Sequence, residues 1–91
     1  MTESGPLALR ITKSARKDLI DLLFKFFKQV MTKILLLPEN PRPQDYKQLK
    51  GYSGVYRVNS GEYRILYTIL EDAIEVFRVG KRNDDEVYEN L

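Results

Sequence analysis

The chain contains neither cysteine nor histidine among its 91 residues. Without cysteine there is no disulfide framework and no thiol nucleophile, a composition that fits a reducing compartment and predicts a cytoplasmic protein. Without histidine the chain lacks the commonest general base and the commonest metal ligand. Any catalysis must therefore depend on Lys, Arg, Tyr, Asp or Glu, and we expect neither a metal nor another cofactor.

Long hydrophobic runs are also missing. The longest apolar run is Ile34–Leu37, whereas a membrane-spanning helix needs about 20 apolar residues. Residues 1–6 have neither the basic region nor the apolar region of a signal peptide. A chain of 91 residues can bury one modest core. We therefore expect a single domain over residues 1–91 with no membrane contact.

Charge is weak overall but unevenly distributed. The formal net charge is +2, made up of +4 in residues 1–33, +2 in residues 34–82 and −4 in residues 83–91. A basic body with an acidic tail is compatible with an anionic binding partner. The low total argues against a general polyanion binder, because such binding depends on many phosphate contacts.

The first half of the chain predicts a strand followed by helical structure. Leu7, Leu9 and Ile11 alternate with Ala8, Arg10 and Thr12, which indicates a strand with one apolar face. From Ala15 to Leu35 apolar residues recur every three or four positions, as in an amphipathic helix. The stretch forms either one long helix or two joined by a tight turn, and the lack of an internal Gly or Pro favours one.

The second half predicts strands. Pro38, Pro41 and Pro43 end the helical region. The expected elements that follow are a helical turn at Asp45–Lys50, strands at Val55–Asn59, Glu62–Leu70 and Ala73–Val79, a hairpin turn at Ser60–Gly61, and a short helix or tail at Asp84–Asn90. This order predicts an α+β domain, in which an N-terminal strand and a three-stranded antiparallel meander form one sheet under the helices.

Arginines on the predicted strands are candidates for phosphate binding. Arg57 and Asn59 share one face of their strand, and the Ser60–Gly61 turn could bring Arg57 next to Arg64. Strict alternation puts Arg78 on the same face as Ile74 and Val76. Guanidinium groups that converge on one surface could form a phosphodiester site. The alternative is that they are solvated strand arginines.

Several short motifs occur in an order and spacing that resemble RelE toxins of the RelE/ParE superfamily. They are Asn40-Pro41-Arg42-Pro43, Leu49-Lys50-Gly51, Gly61-Glu62-Tyr63-Arg64-Ile65-Leu66-Tyr67, Val79-Gly80-Lys81-Arg82 and Glu86-Val87-Tyr88. The resemblance covers residues 13–88 and implies the RelE-like α+β fold.

The resemblance also implies a function. RelE toxins enter the ribosomal A site and cleave the bound messenger RNA without a metal, using the ribose 2′-OH as nucleophile and leaving a cyclic phosphate. The implied partners are the ribosome, its messenger RNA and a cognate antitoxin, in a heterotetramer as one expected assembly. The antitoxin is expected to mask the basic surface or displace the C-terminal segment.

Matching positions imply roles for individual residues. Arg64 matches an arginine on the scissile phosphate, Arg82 one that stabilises the leaving group, and Tyr88 a tyrosine that orients the nucleotide. Arg57 and Asn59 stand where these toxins have two lysines, and neither is a good general base. Further candidates for phosphate contact are Lys81, Arg78 and Lys50.

Two other functions remain open. ParE-type toxins share this fold but bind DNA gyrase, although they generally lack the full C-terminal motif set seen here. Loss of the second lysine also allows a superfamily member that binds partners without catalysis.

Overall fold

The structure is a computed structural model, and it describes residues 7–81. Its elements are strand β1 (Ala8–Ile11), helices α1 (Lys13–Ile20) and α2 (Phe24–Leu36), and strands β2 (Lys47–Gln48), β3 (Val55–Ser60), β4 (Tyr63–Ile69) and β5 (Ala73–Lys81). The predicted roles of Arg82 and Tyr88 and the helix or tail at Asp84–Asn90 lie outside the described residues. Neither helix is long and apolar enough to cross a membrane.

The strands form one sheet in the order β1-β5-β4-β3-β2. β1 is parallel to β5, whereas the other neighbours are antiparallel. The predicted α+β class and the meander of β3, β4 and β5 are confirmed. Because β1 lies at one edge and β3 near the other, the intervening helices cross a single face of the sheet.

The helical region is a hairpin of two helices, so the preference for one continuous helix was wrong. α1 ends where the Asp21 N–H bonds to the Lys17 carbonyl, at 3.2 Å. Leu23 is extended (φ −60°, ψ 149°), and its carbonyl accepts the first bonds of α2, from Phe26 N at 3.0 Å and Phe27 N at 2.9 Å. Leu22, Leu23 and Phe24 cannot all share one helical stripe, and the turn lets Leu22 pack on the core while Leu23 and Phe24 stay exposed.

Residues 45–50 do not form the expected helical turn. Instead, Lys47 and Gln48 pair with Arg57 and Tyr56 as a two-residue edge strand. The carboxylate of Asp45 accepts the backbone N–H of Asn59 at 3.2 Å, which anchors the segment beside β3. This tertiary contact overrides the weak local preference for a turn.

The hairpin between β3 and β4 turns one residue later than expected. Ser60 is the last residue of β3 and pairs with Tyr63, so the loop is Gly61–Glu62. Gly61 has a φ of +58°, a conformation that glycine adopts without a steric cost. The shift places Asn59 opposite Arg64 and Arg57 opposite Leu66.

The hydrophobic core lies between the helices and one face of the sheet. Its buried members are Ala15, Leu19, Val30, Ile34, Leu37, Val58, Tyr63, Ile65, Tyr67, Ile74, Val76 and Val79. The hydroxyl of Tyr67 donates to the Pro41 carbonyl at 2.6 Å, which ties the loop after α2 to the sheet. Burial raises the pKa of Tyr67, and the nearby Asp45 carboxylate adds to the shift. Since α1 and α2 cover this face, Arg57, Asn59 and Arg64, which alternate with core residues, lie on the other.

Candidate nucleic-acid interface

The sheet face opposite α1 and α2 carries those predicted arginines that lie within residues 7–81, and we call it the arginine face. Alternation along β3 and β4 puts Arg57, Asn59 and Arg64 there, since their neighbours Val58 and Ile65 are core residues. Arg57 and Arg64 are diagonal neighbours across the two strands, a relation that brings Cα atoms to roughly 7–8 Å. The structure therefore brings these two cations together.

Arg64 occupies the middle of this face. It pairs with Asn59 on β3 and with Gly80 on β5, and its side chain is half-buried. Gly80 presents no side chain toward it. The side-chain carbonyl of Asn59 is buried and has no hydrogen-bond donor within residues 7–81.

A β-bulge moves Arg78 onto the arginine face. Leu66 pairs with Arg78 and Tyr67 pairs with Val76, so Phe77 has no partner on β4. The extra residue reverses the alternation along β5. The expectation that Arg78 shares a face with Ile74 and Val76 was therefore wrong, because a bulge cannot be read from residue spacing.

Arg78 is held by an aspartate that the sequence analysis missed. Its Nε lies 3.2 Å from Oδ2 of Asp18 on α1, and the same oxygen accepts the Val79 N–H at 3.0 Å. α1 continues along the edge of β5 beyond the end of β1, so Asp18 also satisfies an edge amide. No local signal could find these contacts, because Asp18 and Val79 are 61 residues apart in the sequence. Arg78 thus has part of its charge balanced within the fold.

A lysine at the edge of the sheet was also missed. Lys47 pairs directly with Arg57 and is exposed on the arginine face. Residue spacing did not predict the position of Lys47, because its segment was expected to be a helical turn rather than a strand.

The remaining candidates for phosphate contact within the described residues are Lys50 and Lys81. Lys50 is exposed in the turn after β2. Lys81 pairs with Tyr63, a core residue that contacts Phe26 on α2, so Lys81 alternates to the helix-covered face at the end of β5.

Asp45 stabilises the sheet edge next to the arginine face. Its carboxylate accepts hydrogen bonds from Lys33 Nζ at 3.0 Å and from the Asn59 N–H at 3.2 Å. Burial alone raises the pKa of Asp45, but these hydrogen bonds and the charge of Lys33 outweigh it and leave the pKa below its ordinary value. Asp45 is therefore ionised at neutral pH and holds β2 against β3.

The helical side carries a different surface. A groove of about 560 Å³ runs along α2 and is lined by Phe24, Lys25, Lys28, Gln29, Thr32, Lys33, Leu36 and Ser60. Phe24 is 78% exposed and Leu36 56% exposed, with lysines around them. The combination suits a partner segment that is apolar on one side and acidic on the other. Within residues 7–81 no cluster of three or more acidic side chains could hold a metal.

Known proteins share both the sequence pattern and the fold. Residues 9–86 match the family model described as the ParE toxin of the type II toxin–antitoxin system, parDE. A Methanocaldococcus jannaschii protein assigned as toxin RelE1 is 38% identical over 80 residues, which cover 84% of this chain and 89% of that protein.

Solved structures agree with this match. The toxin–antitoxin complex RelBE2 of Mycobacterium tuberculosis is 28% identical with a TM-score of 0.76, covering 86% of this chain and 100% of that one. An arginine-to-alanine double mutant of free E. coli toxin RelE is 26% identical with a TM-score of 0.76, covering 92% of each chain.

Proposed function

This chain belongs to the RelE-type toxins of type II toxin–antitoxin systems, and we propose that it is an endoribonuclease that cuts messenger RNA in the ribosomal A site. The observation that carries the proposal is the pair Arg57 and Arg64, which lie diagonally adjacent on the sheet face opposite the helices. Two guanidinium groups in that relation can bind a phosphodiester from both sides.

The chemistry needs no nucleophile from the protein. The ribose 2′-oxygen attacks the adjacent phosphorus, a new O2′–P bond forms, and the bond from phosphorus to the 5′-oxygen breaks. The 2′-OH proton is lost and the departing 5′-oxygen gains a proton, which leaves a 2′,3′-cyclic phosphate and a 5′-hydroxyl. The protein must orient the RNA and stabilise the charge on the transferring phosphate. This requirement fits a chain without histidine or cysteine.

Each arginine has a definite part in this scheme. Arg64 binds the scissile phosphate from the centre of the arginine face, and Arg57 supports it from β3. Arg82, directly after the last described residue of β5, stabilises the departing 5′-oxygen by charge, since a guanidinium remains protonated. Tyr88 orients the nucleotide by stacking. The roles of Arg82 and Tyr88 rest on the family motif.

The partner of the toxin is a cognate antitoxin, as in the M. tuberculosis complex. We assign its docking surface to the α2 groove, because Phe24 and Leu36 are exposed there between Lys25, Lys28 and Lys33. An acidic amphipathic segment would cover the apolar side chains and neutralise the lysines. Lys28→Glu should weaken capture of the protein product of the neighbouring open reading frame, whereas Lys17→Glu on α1 should not. Equal capture by both variants would rule out the α2 groove as the antitoxin-binding surface.

Primer extension on a reporter messenger RNA in a reconstituted translation mix tests the nuclease. We expect cuts within A-site codons that require ribosomes, persist after a chelator is added to assembled ribosomes, and disappear with Arg82→Ala. Arg42→Ala, which removes an exposed loop arginine on the helix side, is the matched control and should still cut. No cleavage by folded wild-type protein would reject the proposal.

Gyrase inhibition is the second candidate, because the matching family model is described as a ParE toxin. It predicts DNA breaks and intact messenger RNA after toxin induction, so scoring both products in one culture separates the two functions. If neither appears, the chain acts as a binding module, and Asn59 in place of a lysine is the first residue to examine.

A further inference from the structure

Lys47 shares the arginine face with Arg57, directly across the β2–β3 ladder. We propose that Lys47 is a further RNA-contacting residue, which binds the phosphate next to the one held by Arg57 and Arg64. The inference rests on the proposed function for the nature of the substrate. It adds the edge strand β2, which contributes no residue to the set of motifs, to the substrate-binding surface.

Like charges directly opposite each other on neighbouring strands destabilise a sheet, yet Lys47 and Arg57 stand in that relation. Two other cations of the fold have carboxylate partners: Lys33 is paired with Asp45, and Arg78, on the same face, with Asp18. Lys47 and Arg57 form no such ion pair within residues 7–81. Two adjacent cations without a carboxylate are what an anionic ligand requires.

β2 has only two residues, but both of its ends are fastened to β3. Before Lys47, the Asp45 carboxylate accepts the Asn59 N–H at 3.2 Å, and after it the Leu49 N–H donates to the Val55 carbonyl at 2.7 Å. The backbone of Lys47 is therefore held in register, and only its flexible side chain has to find the phosphate.

The cations on this face are arranged in a row. Lys47, Arg57 and Arg64 lie on three successive strands, which are each about 4.8 Å apart. They form a cationic row that crosses the strands from the sheet edge to its centre. Asn59, beside this row, carries no charge. Lys47 thus supplies a second cation beside Arg57 that Asn59 cannot supply.

The chain offers a matched control in the next residue. Gln48 belongs to the same two-residue strand and is also exposed, but it pairs with Tyr56 and alternates to the helix-covered face. Three variants are compared with wild type: Lys47→Ala, Gln48→Ala and the swap Lys47→Gln/Gln48→Lys. The swap keeps the net charge and moves the amine to the other face. Thermal unfolding is measured for each to confirm that the fold is kept.

Two readouts are used. The first is the single-turnover rate of cleavage of ribosome-bound messenger RNA. The second is binding of a short single-stranded RNA with 2′-O-methyl groups, which cannot be cut, followed by fluorescence anisotropy over a salt series. Lys47→Ala and the swap should each lose about 5- to 30-fold in both readouts, the usual cost of one charged contact. Their salt slope should fall by about 0.7, the value for one phosphate of a single strand. Gln48→Ala should stay within about twofold of wild type, as surface substitutions usually do.

The outcomes separate this inference from the proposed function. If wild type cleaves and Lys47→Ala behaves like Gln48→Ala in both readouts, the Lys47 contact is rejected while the nuclease stands. If wild type does not cleave, but Lys47→Ala and the swap alone lose RNA binding, the contact stands and the nuclease is rejected. A swap variant that keeps wild-type behaviour, or a wild-type protein that neither cleaves nor binds the RNA, overturns the inference.

Discussion

The two faces of the sheet use the same strands for different purposes. On β4, Ile65 and Tyr67 are fully buried under the helices, whereas Arg64 between Tyr63 and Ile65 lies on the arginine face. Stability therefore comes mainly from one set of alternate residues, whereas the proposed RNA contacts come from the other. The comparison teaches that neighbouring residues of one strand can be changed independently, and that substitutions next to each other should have separable effects.

The largest effect on stability is expected from Ile65→Ala. Its side chain is fully buried in the core cluster, so truncation removes apolar contacts and leaves a cavity. We expect a loss of about 2–5 kcal/mol in the free energy of unfolding, with an unchanged cleavage rate per folded molecule. Denaturant unfolding and cleavage below the transition measure the two quantities. A cleavage rate that falls in proportion to stability would contradict the separation of the faces.

Asp18→Ala should break the contact between helix α1 and Arg78 on the arginine face. It removes the acceptor of the Val79 N–H and the partner of Arg78, and we expect a loss of about 1–3 kcal/mol in stability. Arg78→Ala is the companion variant, because it keeps the Val79 hydrogen bond and should cost less. If the two variants are equally destabilised, the edge amide contributes nothing and only the ion pair matters.

Tyr67→Phe tests the polar contact inside the covered face. The variant loses the hydrogen bond to the Pro41 carbonyl and should lose about 1 kcal/mol near neutral pH. The pKa of Tyr67 is raised in the folded state, so its contribution is complete below the ordinary tyrosine pKa of about 10 and is lost as pH rises further. The stability difference between wild type and variant should therefore shrink at alkaline pH. A constant difference would mean that Tyr67 ionises equally in both states.

The smallest effect is expected from Asp45→Asn. The pKa of Asp45 is lowered in the folded state, so its charge stabilises the protein above the ordinary aspartate pKa, and that contribution is lost as pH falls through the lowered value. The variant should be less stable by roughly 0.2–1 kcal/mol at neutral pH, because the pair with Lys33 is partly exposed. This difference should vanish in acid. Urea unfolding at pH 7 and pH 3 measures it.

Alternation along the strands could be predicted from the sequence, but interruptions of that pattern could not. Period-two spacing placed Arg57, Asn59 and Arg64 on a common face, which the register confirms. The bulge at Phe77 and the later turn at Gly61 were missed, because each depends on pairing with another strand. Local propensity also gave no sign of β2, which exists through tertiary contacts of Asp45.

The break between α1 and α2 is another interruption that the sequence pattern did not predict. No Gly or Pro marks the turn at residues 21–23, and the apolar spacing continues through it. The break becomes understandable only when the core is known, because the turn packs Leu22 on the core and leaves Leu23 and Phe24 exposed. The family resemblance named more candidate site residues than periodicity did. Asp18, Asp45 and Lys47, however, belong to none of its motifs.

The most direct test compares Arg64→Ala with Ile65→Ala, two adjacent residues on opposite faces, in single-turnover cleavage of ribosome-bound messenger RNA and in denaturant unfolding. Arg64→Ala should lose about 10²- to 10³-fold in cleavage rate, the usual cost of one group that stabilises charge in the transition state, with little change in stability. Ile65→Ala should lose stability and keep its rate per folded molecule. A result in which Arg64→Ala cleaves as fast as wild type would contradict the account.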